Sequence, residues 1–148
     1  MRSGRTAAAR TIFTTCGVWL VLLGLYFILA RPALLPEDLR YMDGELDRIQ
    51  EAAPGAEAWL QHVFAVMGGF IAGSGVLTIL AAATALNPSR RSSWGALASA
   101  GVLTVGTMAV VNFQLDSQFK WLLVVPAVLW LAGLVILLPA RRPSSQYP

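Results

Sequence analysis

Acidic residues are missing from every apolar stretch of this chain and from three of its polar segments. Glu37, Asp38, Asp43, Glu45, Asp47, Glu51 and Glu57 lie between the first and second apolar runs, and Asp116 lies between the third and fourth. The N-terminus, the middle loop and the C-terminal tail carry Arg alone. Cysteine and histidine occur once each, as Cys16 and His62. One cysteine excludes an internal disulfide and a dithiol redox centre. One Cys and one His on different segments cannot build a zinc site, and haem ligation lacks a convincing second ligand, so no metal and no cofactor is expected.

What is present is apolar. Of 148 residues, 56% are hydrophobic and 13% charged, with a mean hydropathy of +0.62. A soluble domain of this size needs far more polar surface. The pI of about 9.6 does not imply a nucleic-acid partner, because the basic residues are scattered over short segments that flank apolar runs. Such sorting is the signature of a multi-pass membrane protein whose basic segments stay cytoplasmic. The expectation is an all-α integral membrane four-helix bundle, in a bacterial inner membrane, with both termini cytoplasmic and the lipid bilayer as first partner.

The segments follow from composition. Residues 1–11 are basic and small, disordered or lying on the membrane surface. The first span is 12–30, an uncleaved helix rather than a signal peptide, since Ile28-Leu29-Ala30 puts a bulky residue at the −3 position. Residues 31–58 form an outer loop. In it Pro36-Glu37-Asp38 starts a short amphipathic helix along Leu39, Met42, Leu46 and Ile49, weakened by Gly44 and ended by Pro54-Gly55. The second span is 59–86, stopped by Asn87-Pro88. Residues 87–93 are a cytoplasmic turn, 94–113 the third span, 114–118 an outer turn, 119–138 the fourth span and 139–148 a cytoplasmic tail anchored by Arg141-Arg142. Trp59, Trp94 and Trp121 fall at span ends, as an aromatic belt requires. Pro126 frees a carbonyl within the fourth span. Trp19 and Trp130 lie at mid-depth, facing each other or lipid.

Small residues recur on one stripe of each span. They are Gly17 and Gly24 in the first, Ala65, Gly69 and Gly73 in the second, Ala98 and Gly101 in the third, and Pro126, Trp130 and Gly133 in the fourth. Such stripes let helix backbones approach closely in lipid. Two readings stay open: packing within one chain, or a homo-oligomer interface through Gly69 and Gly73.

Extended outward, the stripes reach polar residues. Seven beyond Gly24 is Arg31, seven outward from Gly69 is His62, and Asn112 continues the Ala98–Gly101 face. Gln61, Gln114, Asp116 and Lys120 lie at similar depth. One reading is an outward polar-mouthed pocket for a lipid, quinone or other apolar molecule, with Arg31, His62, Asn112, Gln61 and Asp116 as ligand-binding residues. The other is solvated, snorkelling side chains at headgroup level. His62 oriented by Glu57 could serve as a base, but no nucleophile or oxyanion arrangement accompanies it, so no catalytic residue is assigned. No titratable residue lies at mid-depth, which argues against small multidrug-type transporters, whose family carries a membrane-embedded Glu in its first helix.

Arg31-Pro32 after the first span and the Gly-rich stretch Val66–Gly75 in the second give the chain a plan that resembles the DoxX-like group of small bacterial membrane proteins. The resemblance covers the whole topology, including a first outer loop with a polar, partly helical segment. It implies a fold rather than a residue role; some members are similar to subunits of quinone-linked respiratory oxidation. The function expected is a non-catalytic accessory or interaction subunit of a membrane complex, the alternative being a binding protein or enzyme for an apolar small molecule at the outer polar cluster.

Overall fold

The structure, a computed structural model, describes residues 2–84, 86 and 91–138, and only the backbone at 2, 91 and 92. Asn87-Pro88, Arg90, Pro139 and the Arg141-Arg142 anchor lie outside the described residues. All regular elements among those described are helical. In chain order they are α1 (Arg2–Leu29), α2 (Pro36–Tyr41), α3 (Leu46–Ala52), α4 (Ala56–Thr84), α5 (Arg91–Gly101), a π-helical turn (Val102–Gly106), α6 (Thr107–Gln114) and α7 (Lys120–Ile136).

Three helical rods are long and apolar enough to cross a membrane: Ser3–Leu29 of α1, α4, and Ser93–Gln114 running through α5, the π turn and α6. At 1.5 Å per residue, α1 is about 42 Å long. The shorter apolar α7 has 17 residues, or about 26 Å.

Helix α1 begins at Arg2 rather than after an irregular basic arm. Local chemistry explains this. Ala7, Ala8 and Ala9 are strong helix formers, and two arginines satisfy carbonyls at the ends of neighbouring helices. Arg10 Nε donates to the Ala82 carbonyl of α4 (3.1 Å), and Arg5 Nη2 to the Ile136 carbonyl of α7 (2.7 Å). Ala9 and Phe13 are fully buried beneath them.

Helix α1 is the centre of the fold, with α4 on one side and α7 on the other, while α5 and α6 pack on α7. Its α4-facing stripe is Arg10, Gly17 and Gly24. The matching α4 stripe is Ala82, Gly75 and Gly68. A Cβ on Gly75 would lie 2.6 Å from the Gly17 carbonyl, and one on Gly68 would lie 2.6 Å from the Gly24 carbonyl. The numbers in each pair add to the same total, so the helices run antiparallel in fixed register, with a glycine pair every seven residues. Larger residues would force the backbones apart.

The α7-facing stripe of α1 is Ala9, Phe13, Cys16 and Leu20, all buried with Trp130, Leu134 and Leu137 of α7. The Phe13 ring meets Trp130 edge-on at 5.3 Å and occupies the space a side chain on Gly133 would need. Trp130 lies against Gly101 and donates its indole N–H to the Leu97 carbonyl (2.9 Å). Cys16 Sγ donates to the Pro126 carbonyl at 3.5 Å.

The outer loop holds two short helices where periodicity suggests one. The break has a local cause. Asp43 adopts a left-handed conformation (φ 50°), and the amides of Asp43 and Gly44 turn back onto the carbonyls of Arg40 and Leu39. That is a Schellman ending, which stops α2 and redirects the chain. The end of α6 repeats it. Asp116 is left-handed (φ 49°), and the amides of Asp116 and Ser117 bond Phe113 and Asn112.

Candidate functional site

The polar residues at the loop-bearing end converge on α2 and on the turn between α6 and α7. Pro36 at the first helical position suits its fixed φ, and Asp38 accepts the Leu35 amide at 2.9 Å as a capping residue. These local bonds orient the next side chain, Glu37. It is 6% exposed and crosses to the other loop, where its carboxylate accepts the Ser117 hydroxyl at 2.6 Å and the Gln118 amide at 3.3 Å. Ser117 in turn accepts the Phe119 amide. Arg40, one turn on, donates to the Asp116 carbonyl at 3.1 Å. Two segments some 80 residues apart are thus clamped by a buried carboxylate and flanked by a guanidinium.

Arg31 forms a second cluster. Its guanidinium sits 3.5 Å from the Phe64 ring centroid and 5.4 Å from that of Phe27. It pairs with Asp38 at 3.1 Å, and the Arg31 side chain is only 8% exposed. It also donates to the Pro32 and Ala33 carbonyls. A planar cation stacked on aromatic rings and paired with a carboxylate is held firmly. Asp38 joins the two clusters, because it caps α2 and binds Arg31.

The remaining polar residues named from sequence are held apart from these. His62 is exposed and bonds the Ala58 carbonyl one turn back through Nδ1 (2.6 Å), not Glu57. Since a carbonyl can only accept, Nδ1 carries the proton. Asn112 donates to the Met108 carbonyl of its own helix. Gln61 and Gln114 are exposed. Asp116 pairs with Lys120. That hydrogen bond and the ammonium charge, aided by Arg40, hold the Asp116 carboxyl below the usual carboxylate range. Among the described residues, no three His, Cys, Asp or Glu side chains gather as a metal site.

The small residues divide in the same way. Gly17, Gly24, Gly101 and Gly133 lie at helix contacts, whereas Gly69 and Gly73 have open space where a Cβ would be. Gly68 and Gly75, which sequence reading passed over, make the α4 side of the seam. Their seven-residue spacing, equal to that of Gly17 and Gly24, was the available signal. Glu37 and Ser117 were also missed, and no periodicity connects them.

Comparison with protein-family models, with curated proteins and with solved structures finds no match.

Proposed function

We propose that this chain is a multi-pass protein of a bacterial inner membrane, with cytoplasmic termini, that serves as a non-catalytic accessory subunit. The membrane reading rests on exposed apolar surface. Only 17% of the most apolar window of α4 is buried within the protein, and Phe70 and Leu103 are about three-quarters exposed, at 75% and 74%. Monomeric soluble proteins rarely carry contiguous apolar faces of this extent. Counting α7 as a fourth crossing gives the even number of spans that keeps both Arg-only ends on one side. It also puts every acid on the other.

The accessory reading rests on one observation: the outward polar groups are committed to one another. Arg31, Asp38, Glu37, Arg40 and Ser117 tie loop to loop, and His62 and Asn112 bond their own helices. Such a network fixes a shape for a partner to dock on. The DoxX-like plan points the same way by analogy alone.

Native mass spectrometry of the protein released from its own membrane in gentle detergent tests this. The expected result is the chain together with a second polypeptide or in a defined homo-oligomer. A discrete small molecule lost on Arg31→Ala or His62→Ala would overturn it in favour of a ligand site at the outer face.

A further inference from the structure

Helix α4 and the α5–α6 rod hardly touch, although they follow one another in the chain. Between them runs a half-open groove of about 420 Å³, walled by Ser74, Leu77 and Thr78 of α4 and by Ala96 and Ala100 of α5, with Trp130 as its floor. The volume falls within the usual range of small-molecule sites, about 300–1,000 Å³. From Ser93 to Thr104, both on its wall, the groove follows α5 and the π turn for about 16 Å. It is therefore a channel along the helices rather than a pit.

Three properties select an occupant. First, the polar atoms along its walls are already bonded. Ser74 donates to Phe70, Thr78 to Ser74 and Thr104 to Ala100, each to a carbonyl one turn back. The Trp130 N–H goes to Leu97. The wall offers hydrocarbon contact and nothing to hydrogen-bond. Second, the width excludes a helix. A helix with its side chains is about 10–12 Å across and would fill roughly 1,200–1,800 Å³ over that length, several times the space present. An alkyl chain is far narrower. Third, the end of the groove marked by Leu86 and Ser93 adjoins a stretch of sequence with two arginines and no acid, Asn87–Ser92. A polar head at that end is matched by positive charge.

We propose that the groove holds an acyl chain of an anionic phospholipid, headgroup toward the α4–α5 connection. This site lies at the opposite end from the outer clamp, and it rests on the membrane reading above.

The test uses the full chain in phosphatidylcholine vesicles containing phosphatidylglycerol. Alkaline carbonate extraction comes first, then mild detergent and native mass spectrometry to count retained lipid. Wild type is expected to keep one phosphatidylglycerol per chain in preference to phosphatidylcholine. Ala100→Leu, which fills the groove, is expected to lower that retention by about tenfold or more, equivalent to 1.4 kcal/mol or more. Ser74→Leu fills the opposite wall and serves if Ala100→Leu fails to fold. Ala83→Leu, exposed on α4 and outside the groove, is expected to retain lipid as wild type does. Equal retention by the groove variants, no preference for phosphatidylglycerol, or a lipid-free dimer abolished by Ala100→Leu would overturn the proposal. A chain that carbonate strips from the vesicles refutes the membrane reading itself. One that resists carbonate but holds no lipid refutes only the groove.

Discussion

Two faces of α4 carry glycines one position apart in sequence and meet opposite fates. Gly68 and Gly75 are buried against α1, so close that a Cβ would enter the backbone of the other helix. Gly69 and Gly73, set four apart in the better-known small-residue pattern, face open space. The difference lies in the partner. Helix α1 presents glycine at seven-residue intervals, and only an α4 stripe with the same interval can match it pair by pair along an antiparallel crossing. A small residue packs where its neighbour is also small at the same height. Elsewhere it leaves a smooth surface. The same contrast divides the molecule, with a closed α1–α4 seam and outer clamp on one hand, and an open α4 flank and groove on the other.

Substitutions that fill the closed side should do the most damage. Gly24→Leu drives a side chain into the Ala72 amide and the Gly68 carbonyl. It is expected to cost roughly 3 kcal/mol or more, at the upper end of overpacking effects, read as loss of folded protein in a detergent melt. A melt within error of wild type would mean that the seam is not closed. Ser117→Ala removes one of the two donors to buried Glu37, and hydrogen bonds to charged groups are worth about 1.5–3 kcal/mol. Faster amide exchange confined to residues 36–44 and 115–119 is the expected signature. Uniform loss of protection across all helices would contradict a local clamp.

Smaller effects lie at the exposed rim. The Asp116 carboxyl is depressed in the folded state by Lys120. Its contribution to stability is therefore present above the unfolded carboxylate pKa and lost as pH falls through the lower folded value. Lys120→Ala should raise the Asp116 midpoint in a carboxyl ¹³C titration. An unmoved midpoint would show that the pair is not populated in solution. Least of all, Asp43→Gly relieves a left-handed Asp while adding freedom to the unfolded chain. A net gain of roughly 0.5 kcal/mol or less is expected, and a clear loss would mean that the Asp43 side chain has a role of its own.

How far these features can be read from sequence depends on their range. The apolar runs mark the long helices because length and composition act locally. Seven-residue spacing puts Gly17, Gly24 and Arg31 on one stripe of α1 without reference to any other helix. Choosing between Gly68–Gly75 and Gly69–Gly73 on α4 requires the register of a second helix, which one sequence does not encode visibly. The Glu37–Ser117 bond joins residues separated by 80 positions, with no repeat to connect them. The π turn at Val102–Gly106 leaves no compositional mark at all. It follows Gly101, where Trp130 crowds the backbone, so tertiary packing rather than local preference accompanies it. The split of the outer amphipathic segment into α2 and α3 was half visible, since Gly44 flagged a weak point but not the left-handed Asp43 before it.

The most direct test of the seam sets two adjacent positions against each other. Gly68→Leu and Gly69→Leu add the same side chain to the same helix, a single residue apart. Both would be melted in the same mild detergent and sized for monomer. Matched packing of α1 against Gly68 and Gly75 predicts that Gly68→Leu loses the folded monomer while Gly69→Leu melts as wild type does. Equal losses, or a greater loss at Gly69, would contradict it and place α1 on the other face of α4.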